Sequence, residues 1–147
     1  EHDQRVPILD QTVVHKMMAL RANEKLDISE ARKRVTADLI VNRKKKNTLN
    51  GYDILGFDTL EPNLMIKTFD RNTLANICVF SDGFEAYFST YGLVDNVSDF
   101  YQVIQNENLA HLLAHIRNVE NQDKDCILYP RLKKSDDASV VLMRVNG

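Results

Sequence analysis

The sequence has no tryptophan, two cysteines, three prolines and five glycines in 147 residues, and no long apolar run. Each scarcity excludes something. No apolar stretch approaches the roughly 18 residues that read as a membrane span. No charged-then-apolar leader opens the chain, so no secretory signal is visible, although a mature secreted chain would lack one too. Cys78 and Cys126 form neither a CxxC pair nor a zinc spacing. Cys78 stands in an apolar run and reads as a small core residue, which suits a reducing, cytoplasmic setting. The few prolines and glycines mark no flexible linker, and there is no internal repeat or low-complexity tract. With 19 Lys+Arg against 21 Asp+Glu there is no basic excess, so a dedicated nucleic-acid binder is not expected. The chain opens at Glu1 rather than Met, as a piece of a longer protein would.

What is present is ordinary for a folded domain: 44% apolar residues, 27% charged residues and a net charge of −2. The length predicts about one domain. A domain of this size buries roughly 68–70% of its unfolded surface, enough for a core without disulfide or metal staples.

The apolar spacing predicts a helix over residues 8–22, with Leu9, Val13, Met17 and Leu20 on one face and Pro7 in the tolerated first turn. A second helix is expected over residues 28–46. Asp27 caps it, Glu30 completes a capping box, and Ile28, Ala31, Val35 and Leu39 form the stripe. Arg43, Lys44, Lys45 and Lys46 end it, where positive charge complements the helix dipole. Asn50-Gly51 signals a turn. The period then shortens. Residues 52–55, 64–69 and 75–80 read as strands, and the last is apolar enough to be buried on both faces. Helices follow over residues 84–91, ended by Gly92, and over 98–105, capped by Ser98 or Asp99. Another spans 108–122, with Leu109, Leu112, Leu113, Ile116 and Val119 on its apolar side. Residues 139–145 form a β-branched final strand. The order of elements is that of an α+β protein.

Two acidic clusters flank strands. Ser81-Asp82-Gly83 follows the buried strand, and Ser135-Asp136-Asp137 precedes the last one. If those strands are antiparallel neighbours, Asp82 and Asp136 converge on one sheet rim with Asp137 adjacent. Clustered carboxylates repel unless a cation compensates, and hard oxygen donors suit Mg²⁺ or Mn²⁺. The plainer reading is a turn after one strand and a cap before the other. His111 and His115 stand at helical metal-ligand spacing, but both lie roughly 100–140° from the centre of the apolar face, toward solvent, and no HExxH is present. The basic stretches 43–46 and 129–134 are either solvated or attract phosphate, the second standing beside Asp136. Cys126 has no evident base, and no GxSxG, P-loop or dinucleotide fingerprint occurs.

Residues 78–84, Cys-Val-Phe-Ser-Asp-Gly-Phe, resemble the apolar strand and Asp-Gly metal motif of bacterial type-2C-like, metal-dependent protein phosphatases, the PPM family. Residues 134–142, Lys-Ser-Asp-Asp-Ala-Ser-Val-Val-Leu, resemble that family's terminal Asp-Asn or Asp-Asp motif and strand. Asn47, Gly51-Tyr52, Leu55-Gly56, Tyr91-Gly92-Leu93 and Asp125-Cys126 add weaker likeness to one bacterial branch. The resemblance is to the C-terminal portion of the family. It implies an α-β-β-α sandwich of mainly antiparallel sheets, a two-metal Mn²⁺ or Mg²⁺ centre, and hydrolysis of phosphoserine or phosphothreonine on a protein substrate by a metal-activated water. Asp82 and Asp136 would be metal ligands, with Gly83, Asp137 and Lys134 near the site.

Nothing before Leu55 resembles the family's phosphate-gripping Arg or its metal-bridging Asp-Gly pair; neither Asp3 nor Asp53 fits. The expectation is therefore half a sandwich and half a site, inactive or nearly so alone. The N-terminal half would be missing and come from the same gene or a second chain. A non-catalytic regulatory or interaction module of the same fold is the alternative.

Overall fold

The computed structural model describes residues 5–54 and 66–145. The chain divides into two units, Glu1–Ile66 and Lys67–Gly147.

The first unit is a helical hairpin. Helix α1 runs Arg5–Glu24 and helix α2 Ile28–Arg43. Pro7 falls within the first turn of α1, whose N–H groups have no intrahelical partner to lose. The predicted stripes meet: Val13 and Met17 are buried from α1, Ala31 and Val35 from α2. Asp27 caps α2 by accepting the N–H of Glu30 at 2.8 Å. The helices are antiparallel, and the Asn42 side chain donates to the Leu9 carbonyl at 3.1 Å. Arg5–Asp53 and Lys16–Asp38 are surface ion pairs, each worth about 0–1 kcal/mol. Helix α2 stops at Arg43, short of the basic run's end, because Lys44 to Lys46 turn back and Asn47 takes a φ of 53°.

Two strand expectations fail. Residues 52–54 make no strand; Tyr52 forms an isolated parallel bridge with Lys46, closed by the Asn47 N–H on the Tyr52 carbonyl. Leu55 and residues 64–65 lie outside the described residues. Residues 66–69 form no strand: Ile66 and Phe69 are 81% and 63% exposed, with no partner strand among the described residues to hide their apolar side chains.

The second unit is α+β. Its elements are β1 (Asn76–Phe80), α3 (Asp82–Ser89), α4 (Val97–Asn106), α5 (Leu109–Gln122) and β2 (Val140–Arg144). The strands pair antiparallel, Phe80 opposite Val140 and Asn76 opposite Arg144. Cys78, Phe80, Val140 and Leu142 face inward onto the core. Phe100 is central there, its ring centroid within 5.0–5.8 Å of Phe80, Phe84, Tyr87 and Phe88. Leu112 and Ile116 of α5 close the cluster, and α3 ends as expected before Gly92 at φ 57°.

Two details depart from expectation. Strand β1 is not buried on both faces: Ile77 and Val79, with Met143 and Val141 opposite them, are 39–56% exposed. Their apolar character alone could not distinguish a covered face from an open one. Helix α4 is capped by Asn96, not by Ser98 or Asp99, because its side chain accepts both of their N–H groups at 2.9 and 3.0 Å. Among the described residues no helix is long and apolar enough to cross a membrane.

Replacing Phe100 by Ala removes the ring that the other aromatics surround. The expected loss is about 3–5 kcal/mol in urea unfolding followed by near-ultraviolet circular dichroism. A loss under about 1 kcal/mol would place the core elsewhere.

Candidate metal-binding rim

Antiparallel pairing carries the carboxyl end of β1 to the start of β2. Beyond Phe80 the ladder continues for one residue, with the Ser81 N–H on the Ser139 carbonyl at 2.9 Å. The Ser81 hydroxyl accepts the Ser139 N–H at 2.9 Å and donates to the Asp137 carbonyl at 3.1 Å. The chain then turns into α3 at Asp82 and Gly83. A Cβ on Gly83 would stand 2.3 Å from the Asp137 carbonyl oxygen and 3.1 Å from the Asp136 Cβ. Only glycine permits that approach. The two acidic clusters, far apart in sequence, therefore meet at one rim of the sheet.

Asp82 is exposed, in the first turn of α3, where the helix dipole favours negative charge. Its Oδ1 accepts the Gly83 N–H at 2.8 Å. Asp136 is half-buried, and its Oδ1 takes both the Asp137 N–H at 2.8 Å and the Lys133 ammonium. Asp137 is exposed beside it. The cation on Asp136 is thus Lys133. Lys134 reaches the Asn121 side chain of α5 instead, at 2.7 Å.

Sequence reasoning missed three residues that hold this loop, Arg117 and Glu120 on α5 and Asp123 at its C-cap. Leu112, Ile116, Glu120 and Asp123 continue one helical stripe and all are buried. Glu120 accepts Tyr91 Oη at 3.2 Å on one oxygen and Arg117 Nη1 at 2.7 Å on the other. The other Arg117 nitrogen, Nη2, donates to the Asp136 carbonyl at 2.8 Å. Asp123 accepts the N–H groups of Ile127, Leu128 and Tyr129 and the Arg131 guanidinium at 2.6 Å. Arg131 also donates to the Lys134 carbonyl and lies over the Tyr91 ring. The signal was the i, i+4 progression from Leu112 through Ile116 to Glu120, which sets a carboxylate on the apolar face.

The electrostatics follow from these partners. Burial pushes the Asp123 carboxyl up, but Arg131 and the three backbone donors outweigh it and hold the group below its ordinary 3.8. Burial and the neighbouring Glu120 carboxylate push the Tyr91 phenol up to about 12, so it stays a donor to Glu120.

Carboxylate oxygens are the right donors for Mg²⁺ or Mn²⁺. Among the described residues, however, no three His, Cys, Asp or Glu side chains are grouped to hold a metal ion. The rim brings Asp82 and Asp136 together, with Asp137 adjacent; their oxygens fit the chemistry of such a site but do not make a full ligand set. His111 and His115 are exposed, and the His115 Nδ1 stands 3.5 Å from the Tyr87 hydroxyl. Cys126 is buried, and burial pushes the Cys78 thiol up. No protein-family model, curated protein or solved structure matches the chain.

Gly83→Ala should force the Asp136–Asp137 backbone away and destabilise the chain by about 1–3 kcal/mol in urea unfolding; an unchanged midpoint would deny the close approach. Asp123 contributes stability that is present above pH 3.8 and lost as pH falls through its lower folded-state value. Asp123→Asn should therefore lower stability at pH 7 by about 3 kcal/mol. The gap from the parent should narrow below pH 3.8, and a gap independent of pH would contradict this.

Proposed function

We propose that this chain carries the C-terminal, acidic half of a divalent-cation site that hydrolyses phosphoserine or phosphothreonine on proteins, as its resemblance to type-2C-like phosphatases implies. The close approach of Gly83 to the Asp137 carbonyl carries the reading, because it sets Asp82 and Asp136 on one rim. Those two carboxylates would hold Mn²⁺ or Mg²⁺, with Asp137 beside them. The ions would supply Lewis acidity toward water and the phosphoryl group. The protein's own contribution is to hold the acids still: Ser81 ties the two lead-in segments together. Lys133 pairs with Asp136 at the same rim. The remaining ligands, the phosphate-gripping Arg and the second sheet of a sandwich would come from an N-terminal half in the same gene or a second chain. The setting would be cytoplasmic, and the chain alone inactive or nearly so.

A second reading is a non-catalytic interaction module. It draws on the open apolar sheet face of Ile77, Val79, Val141 and Met143 and on the ion pair that already satisfies Asp136.

The test is p-nitrophenyl phosphate hydrolysis by the full gene product with Mn²⁺, for the parent and for Asp82→Asn and Asp136→Asn. Each variant should lose at least about 100-fold in kcat/KM, roughly 2.7 kcal/mol of transition-state stabilisation. Melting temperatures should stay near the parent's, since an Asn amide oxygen can still accept the Gly83 or Asp137 N–H that each carboxylate holds. Full activity in both variants would refute the site, and a parent without activity would favour the interaction module.

A further inference from the structure

Asp136 and Asp137 share a peptide unit that is gripped on both sides. Its carbonyl accepts Arg117 Nη2 at 2.8 Å, and its N–H donates to the Asp136 carboxylate at 2.8 Å. The carboxylate is therefore tied to the orientation of that peptide plane, and the plane is tied to Arg117. The guanidinium is itself fixed. Its other terminal nitrogen is on Glu120, whose side chain is 3% exposed and whose second oxygen is held by Tyr91. A carboxylate buried this far must keep its partners, so Glu120 holds Arg117 in one direction. Arg is suited to this because its planar fork presents two donors at a fixed angle, which a lysine ammonium cannot reproduce.

We infer that Arg117, oriented by Glu120, is a positioning residue for Asp136, aiming its carboxylate at the rim through the backbone. Arg117 sits on α5, 19 residues before Asp136, and touches neither the Asp136 nor the Asp82 carboxylate in any hydrogen bond of the described residues. Helix α5 is in turn anchored by Leu112 and Ile116, both fully buried. The core thereby sets the direction of an acid at the surface. The inference rests on the reading of Asp136 as a cation ligand.

The experiment is Mn²⁺ binding to the full chain by isothermal titration calorimetry, beside thermal melting of each variant. Arg117→Met alone leaves Glu120 buried without its cation and risks misfolding. The Arg117→Met/Glu120→Gln double variant removes both charges and keeps a partner for Tyr91. It should bind Mn²⁺ at least about tenfold more weakly, the loss typical when a group supporting a metal ligand is removed, while melting near the parent temperature. Arg117→Lys, which keeps the charge but not the fork, should fall between. If Asp136→Asn abolishes binding and the double variant binds like the parent, the positioning role is wrong and the cation site stands. If binding is indifferent to both Asp82→Asn and Asp136→Asn, the cation site is wrong and the positioning role falls with it.

Discussion

The arrangement of the second unit turns on a place where a side chain is missing. At Gly83 the backbone of α3 comes so near the Asp137 carbonyl that a single added carbon would stand 2.3 Å from it. Every feature of the acidic rim depends on that approach. It lets the ladder run past Phe80 to Ser81, lets one hydroxyl bond both strands' flanking segments, and brings together acids from either end of the unit. Close packing of backbone on backbone leaves no room for gradual adjustment. The rim is therefore either formed or lost.

Around that contact the structure spends its buried charge in one place. Glu120 lies on α5 and Asp123 at its C-cap, and both serve the loop that leads into β2. Asp123 gathers three backbone N–H groups and Arg131, which makes a cap-like knot out of residues 123–131. Glu120 and Arg117 hold the far end, at the Asp136 carbonyl. Buried ion pairs contribute little net stability compared with apolar packing, and they are costly to break. Their effect is to specify one loop conformation. A loop without regular structure thereby delivers Asp136 to a defined position.

Much of this was legible in the sequence, and the failures have causes. Helical periodicity identified α1, α2 and α5, because stripes such as Leu112 and Ile116 repeat at 3.6 residues and face a core. The meeting of Asp82 and Asp136 was legible only on the condition that the two flanking strands pair antiparallel, and β1 and β2 do so. Short apolar runs were less informative. Residues 52–54 and 66–69 carry strand-like residues without strand partners among the described residues, since pairing is decided by distant segments and not by local composition. The Asn96 cap was missed because Asn96, Ser98 and Asp99 each offer a capping oxygen within four positions. The apolar side expected for α5 stops at Val119, so Arg117, Glu120 and Asp123 carried no expectation. Nothing local tells that Arg117 will meet a carbonyl 19 positions away, although the stripe running through Glu120 could have given the burial.

Under the proposed function, the Asp82 and Asp136 clusters act as one cation-binding rim. Titrating the isotope-labelled chain with Mn²⁺ and following paramagnetic broadening of its amide resonances tests that most directly. The account predicts that the amides of residues 81–84 and 135–138 broaden together, at the lowest Mn²⁺ added and ahead of other acidic segments. Broadening at only one of the two clusters, or first at another part of the chain, would contradict it.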